Sequence, residues 1–227
     1  MIKSTFTTLL LFTYVSVYCL NIQNPTKDKL LIEIVSYVLN KGHYSPSQIN
    51  VQFSEEVYKN FLNGVDSRHL FFIQSDIDFF DSYKFEIDDQ IITSKIEFFD
   101  LSHQRYLQRL DQVKSFYPTL LNETFDFSID EKINLDFEST SYSKSLSELK
   151  QQWRKFLKFN ALGIFSNLKE EEKRKKEKDP NYNLRADDVL ELETRNVLKE
   201  DMKYFFEARY DLNRNDYFSI YVNSIAL

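Results

Sequence analysis

His43, His69 and His103 are the residues of this 227-residue chain best suited by type to proton transfer or metal binding. They fall in three separate segments, and none has a second histidine within a helical turn. A zinc helix presents two imidazoles at i and i+4 because those positions share a face. That pattern is absent, so each histidine reads as a surface or satisfied core residue. Ser-x-x-Lys, which sets a nucleophile and a lysine base on one helical face, occurs at Ser141/Lys144, Ser147/Lys150 and Ser166/Lys169. In a chain rich in Ser and Lys the pattern is cheap, and no Ser-Asp-Asn, Lys-Thr-Gly or glycine-flanked serine accompanies it. The adjacent carboxylates Asp88-Asp89 and Asp187-Asp188 diverge on a helix. Asp76 and Asp78 lack the glycine of a calcium loop, and roles as helix-start charges account for them. Cys19 is the only cysteine, which excludes an intramolecular disulfide, a Cys-based metal site and a CxxC redox pair. The reading therefore predicts no catalytic, cofactor-binding or metal-binding residue, and no cofactor.

The elements around these residues are expected to be helices. Only 3 Gly and 4 Pro occur, against 21 Phe and 14 Tyr. Hairpins and oxyanion or phosphate loops need glycine where φ turns positive or backbone approaches a ligand, so this composition favours long helices. Acidic residues outnumber basic ones, 35 to 29, and no basic block is free of acidic neighbours. The balance argues against nucleic acid and anionic membrane surfaces as partners. Met1-Ile2-Lys3 and the apolar stretch from Phe6 to Leu20 have the shape of a secretory leader. Residues 1–20 are thus expected to be a signal peptide, with an uncleaved anchor as the alternative. Cys19 stands where a lipoprotein cysteine would, but the bulky Tyr18 before it fits that role poorly.

Apolar spacing predicts a helix from Asp28 to Lys41 that buries Leu30, Leu31, Ile34, Val35, Val38 and Leu39 and stops at Gly42. Ser45-Pro46-Ser47-Gln48 predicts a short helical turn. Ser54 is expected to cap a helix carrying Val57, Phe61 and Leu62 and ending at Gly64, with Leu70-Phe71-Phe72 an extended, buried connector. A Ser75/Asp78 capping box opens a helix with Ile77, Phe80, Ile87 and Ile91 inward. The next helix runs from Lys95 to Phe116, with Phe99, Tyr106, Leu110 and Val113 inward and Pro118 marking its end. Asn122 to Ser143 reads as a loop. Ser145 and Glu148 form a second capping box, for a helix with Leu149, Trp153, Phe156 and Leu157 on one side. It continues through the pairs Glu170–Arg174, Glu171–Lys175 and Glu172–Lys176 to a break at Asp179-Pro180-Asn181. Two further helices are predicted, from Ala186 to Tyr210 and from Asp216 onward, the last with Tyr217, Ile220, Tyr221, Ser224 and Ile225. The expected fold is all-α, an irregular or orthogonal bundle of about seven to nine helices with one short extended connector. An apolar stripe reaching Leu227 with no Gly, Pro or polar tail after it leads us to expect a truncated chain.

The run from His43 to Phe80, HYSPSQINVQFSEEVYKNFLNGVDSRHLFFIQSDIDFF, resembles the N-terminal helical domain of tail-specific (C-terminal processing) serine proteases. The elements that carry the resemblance are His43-Tyr44, Ser54 to Leu62, Val65-Asp66-Ser67-Arg68-His69-Leu70-Phe71-Phe72, and Asp76 to Phe80. The likeness continues at Phe125-Asp126-Phe127 and at Trp153-Arg154-Lys155-Phe156-Leu157-Lys158. Asp216 to Leu227 is similar to the helix that precedes an Asp-Pro-His-Thr segment and a PDZ domain in that family. The resemblance implies that residues 24–227 form this helical domain, cut before the PDZ and peptidase domains where the family's Ser/Lys dyad lies. It further implies a non-catalytic part of a protease of the bacterial periplasm. That part would help enclose or position protein substrates with apolar C-termini and dock on the PDZ and peptidase domains of the same protein, with an adaptor lipoprotein as a further partner in some members. A stand-alone helical scaffold of the envelope, derived from the same domain, is the alternative, and a hydrolase in its own right ranks last.

Overall fold

The computed structural model describes residues 25–42, 48–137 and 140–226. The expected leader, Cys19, His43-Tyr44 and the turn at Ser45-Pro46-Ser47 lie outside the described residues. Among those described, eight α-helices and no strand occur: α1 (Pro25–Tyr37), α2 (Val51–Asp66), α3 (Gln74–Phe80), α4 (Ile87–Ile92), α5 (Glu97–Leu120), α6 (Leu146–Lys178), α7 (Asp187–Tyr210) and α8 (Arg214–Ala226). A π turn, Val38–Gly42, extends α1, and a 3-10 turn, Asp81–Tyr83, comes directly after α3. The all-α expectation holds.

Two packed groups share one core. In the first, α2 lies on α8 and α4, with α1 against α4 and α8. In the second, α6 and α7 pair antiparallel: Trp153 near the start of α6 meets Phe205 and Phe206 near the end of α7, while Lys169 reaches Asp187 at the other end. Helix α5 touches α6 on one side and α8 on the other, and so joins the groups. Phenylalanine and tyrosine fill the junction. Phe61 meets Tyr221 edge-on at 5.2 Å, and Phe99 meets Phe218 at 5.1 Å, the geometry that ring quadrupoles favour. Arg214 staples three helices, bonding Asp28 of α1 at 2.6 Å and Asp100 of α5 at 2.7 Å while its guanidinium lies over Phe99.

Several local expectations are corrected. Helix α1 buries Asp28 and Ile32 and half-buries Val35 and Leu39; Leu30, Leu31, Ile34 and Val38 are exposed. Both faces are apolar, so periodicity alone could not choose between them. The cap of α2 is Asn50, whose side chain accepts from the Phe53 N–H at 3.1 Å. Ser54 lies inside α2 and caps a different helix, accepting from the Asp88 N–H in the first turn of α4 and donating to Asp88 Oδ1, both at 2.7 Å. Gly64 does not end α2, which runs on to Asp66. A Cβ at Gly64 would lie 2.7 Å from Ile220 Cγ2, so this glycine permits close approach of α8. The helix expected from Ser75 through Ile91 is broken into α3, the 3-10 turn and α4, although Ile77, Phe80, Ile87 and Ile91 are all buried as expected. Ser75 is not its cap, because the Ile73 N–H is taken by Asp76 Oδ2 at 3.0 Å. Helix α5 continues past Pro118 to Leu120. In α8 the expected inward residues Tyr217, Tyr221 and Ile225 are buried.

Candidate functional site

The connector Ser67 to Ile73, the centre of the family-like motif, is also the structural centre of the molecule. Leu70, Phe71, Phe72 and Ile73 are all buried between the two helical groups. A buried irregular segment must find partners for its backbone polar groups, and here the side chains of Asp66, Trp153 and Asp76 supply them, Asp76 through the Ile73 N–H. Asp66, at the end of α2, accepts the N–H groups of Leu70 at 2.8 Å, Phe71 at 3.1 Å and Phe72 at 2.8 Å. Trp153 Nε1 donates to the Leu70 carbonyl from α6. The ring of Phe71 then sits between Tyr106, Trp153 and Phe205, with Arg209 over it. Burial pushes the Asp66 carboxyl up to about 7, against the three N–H donors and the positive charge of Arg209.

A second buried carboxylate stands one turn into α3. Asp76 is fully buried and receives a bidentate fork from Arg109, at 2.7 and 2.9 Å, together with Arg105, both on α5. Burial would raise its pKa, but the Arg109 bonds prevail and hold it below the usual carboxylate range. Asp76 is thus more than a helix-start charge. The i, i+4 spacing of Arg105 and Arg109 was the available signal. Glu172 is a third. It does not pair with Lys176; buried near the end of α6, it accepts from the Arg185 N–H at 3.0 Å, Arg185 Nε at 2.9 Å and the Tyr182 hydroxyl, and closes the α6–α7 link. The pairs Glu170–Arg174 and Glu171–Lys175 form as expected.

The two described histidines, His69 and His103, do not converge. His69, at a positive φ of 50°, hydrogen-bonds the Thr140 carbonyl through Nδ1 at 2.7 Å and stacks on Tyr142. His103 stacks on Phe99 and packs against Tyr217. Burial lowers the pKa of both. Lys169 of the third Ser-x-x-Lys engages Asp187, and Ser147 and Lys150 of the second are exposed on α6. Among the described residues no group of three His, Cys, Asp or Glu could hold a metal ion.

What the structure does present is a groove. The chain from Phe125 to Phe137 forms a strap along α6. Glu131 of the strap bonds Arg154 and, at 2.6 Å, Lys158, which also donates to the Ile129 carbonyl at 3.1 Å; Lys155 donates to the Lys132 carbonyl at 3.3 Å. The Arg154 and Lys158 bonds hold the Glu131 carboxyl down to about 2. Phe127 anchors the strap on Phe165 at 4.8 Å.

The family is decided by comparison with known proteins. A family model described as the tail-specific protease N-terminal domain matches residues 35–227. The chain belongs to this family. The tail-specific protease of Haemophilus influenzae (strain ATCC 51907 / DSM 11121 / KW20 / Rd) is 22% identical over 167 residues, which cover 68% of this chain and 24% of the relative. The chain therefore spans about a quarter of that relative's length. The buried hub built by Asp66, Phe71, Phe72, Asp76 and Trp153 falls within the family match. Those residues have structural roles here.

Proposed function

We propose that this chain is the non-catalytic helical region of a bacterial periplasmic tail-specific protease, and that it positions or encloses protein substrates with apolar C-termini while docked on PDZ and peptidase domains. The observation that carries the reading is the family match across residues 35–227 of a chain that spans 24% of its relative. Peptide-bond hydrolysis would belong to the remainder of such a protein.

Surface character supports docking. Leu30, Leu31, Ile34, Tyr37 and Val38 form an exposed apolar row on α1, and Val189, Leu192 and Tyr204 stand out from α7. Apolar rows of this kind on a folded domain mark contact surfaces. A periplasmic location agrees with the leader-like start, and no helix among the described residues is long and apolar enough to cross a membrane.

The test is cleavage. A PDZ–peptidase fragment of a tail-specific protease is assayed on a protein substrate with an apolar C-terminus, with and without this chain. The chain is expected to raise kcat/KM or shift the cleavage sites. No change, with no binding, would sink the reading. Cleavage by the chain alone would overturn its non-catalytic part.

A further inference from the structure

The strap is tied down differently at its ends and in its middle. At its start Phe125 is buried and its N–H donates to Glu191 Oε1 of α7 at 2.8 Å. Arg195, bonded to the same carboxylate at 2.8 Å, reaches the Leu121 and Asn122 carbonyls at 3.4 and 3.3 Å. Beyond its end Ser143 accepts the Gln74 N–H at 2.8 Å through its carbonyl and donates its hydroxyl to Gln152 at 2.7 Å. Between these anchors, residues 126–135 make no main-chain to main-chain hydrogen bond to the helical body among the described residues. None of them is buried: Phe127, Glu131 and Ile133 are half-buried and the rest are exposed.

One stretch of α6 holds this middle part. Glu131 takes Arg154 and, at 2.6 Å, Lys158; Lys158 and Lys155 hold the Ile129 and Lys132 carbonyls at 3.1 and 3.3 Å. Arg154, Lys155 and Lys158 thus form a catch, and Glu131 is the side chain it grips. A segment with few buried apolar contacts and no backbone ladder opens at a free energy well below that of the whole fold. We propose that the strap is a latch: residues 126–135 leave α6 as a unit while the helices stay folded, and the ion pairs of Glu131 set how often. Opening takes Phe127 off Phe165 and uncovers the side of α6 beside Phe159 and Leu162, which are already exposed. The movement needs no peptidase, so its failure and that of the protease reading are distinguishable.

Trypsin reads the latch at Lys132. Lys155 holds the carbonyl of the bond to be cut, so cleavage requires the strap to leave α6 first. When opening and closing are faster than cleavage, the rate of cutting follows the open population. The whole chain is treated with dilute trypsin, and the fragments that end at Lys132 or begin at Ile133 are timed by mass spectrometry. Arg154→Met with Lys158→Met removes both partners of Glu131 and leaves the strap's own sequence unchanged. The pair is expected to speed this cut at least about tenfold, the scale of losing a charge-assisted contact, with the urea midpoint of the helical signal nearly unchanged. Glu131→Gln should do the same once its rate is divided by that of a synthetic peptide of residues 125–137 carrying the same change. A cut no faster in the variants than in the native chain would overturn the proposal, because Lys132 would then be reached without opening. A urea midpoint that falls in step with faster cutting would overturn it too, because the opening would then be global unfolding.

Discussion

At Asp66 a carboxyl hidden from solvent holds the connector through three backbone N–H groups, and burial raises it to about 7. The folded chain therefore binds this proton more tightly than the unfolded chain, where an aspartate titrates near 3.8. The linked stability is fully present below the unfolded value and is lost as pH rises through about 7. His69 and His103 act in the opposite sense, since burial lowers their pKa values, but they cancel in a comparison with Asp66→Asn. In urea unfolding, the native chain's lead over Asp66→Asn should be about 1–3 kcal/mol at neutral pH and should grow as pH falls from 8 to 5. A lead that stays constant would show that the carboxyl does not titrate there. Tyr221 poses the reverse case: its hydroxyl is buried without a hydrogen-bond partner among the described residues. Tyr221→Phe should raise stability by about 1 kcal/mol, because it removes a desolvated polar group and keeps the ring; a loss in thermal unfolding would reveal a partner. Neither feature could be read from composition. Asp66 stands within the family-like motif, yet a lone aspartate reads as a surface residue until the fold turns it inward.

Among the elements, α5, α6 and α7 were legible to within a few residues, and in α6 an apolar stripe and the Ser145 cap agree. The stretch after the connector was not. Its apolar positions keep helical spacing from Ile77 to Ile91, but the Tyr58 hydroxyl holds Asp81 at 2.9 Å and Ser54 caps α4, so bonds from α2 fix the break that local periodicity conceals. Gly64 misleads for a related reason: its place in the sequence suggests a helix stop, whereas the fold uses the missing Cβ to seat α8. Gly64→Ala should destabilise the chain by about 1–2 kcal/mol through overpacking against Ile220. Combined with Ile220→Ala, the added alanine should cost nothing or gain up to about 1 kcal/mol from helix propensity. An unchanged cost in that double-mutant cycle would mean the close approach does not limit this packing.

For the whole molecule, the sequence foretold an all-α bundle and its family, and both stand. The interaction surfaces were less legible. They are defined by which apolar residues remain uncovered after folding, and α1 has apolar residues on both faces. Contact is where the protease reading is most exposed. The most direct measurement is isothermal titration of a PDZ–peptidase fragment of a tail-specific protease into this chain, beside a variant with Leu31, Ile34 and Val38 changed to serine. Saturable binding at micromolar affinity or tighter, weakened at least about tenfold in the variant, is the predicted result. No heat of binding at any accessible concentration, with both proteins folded, would contradict it.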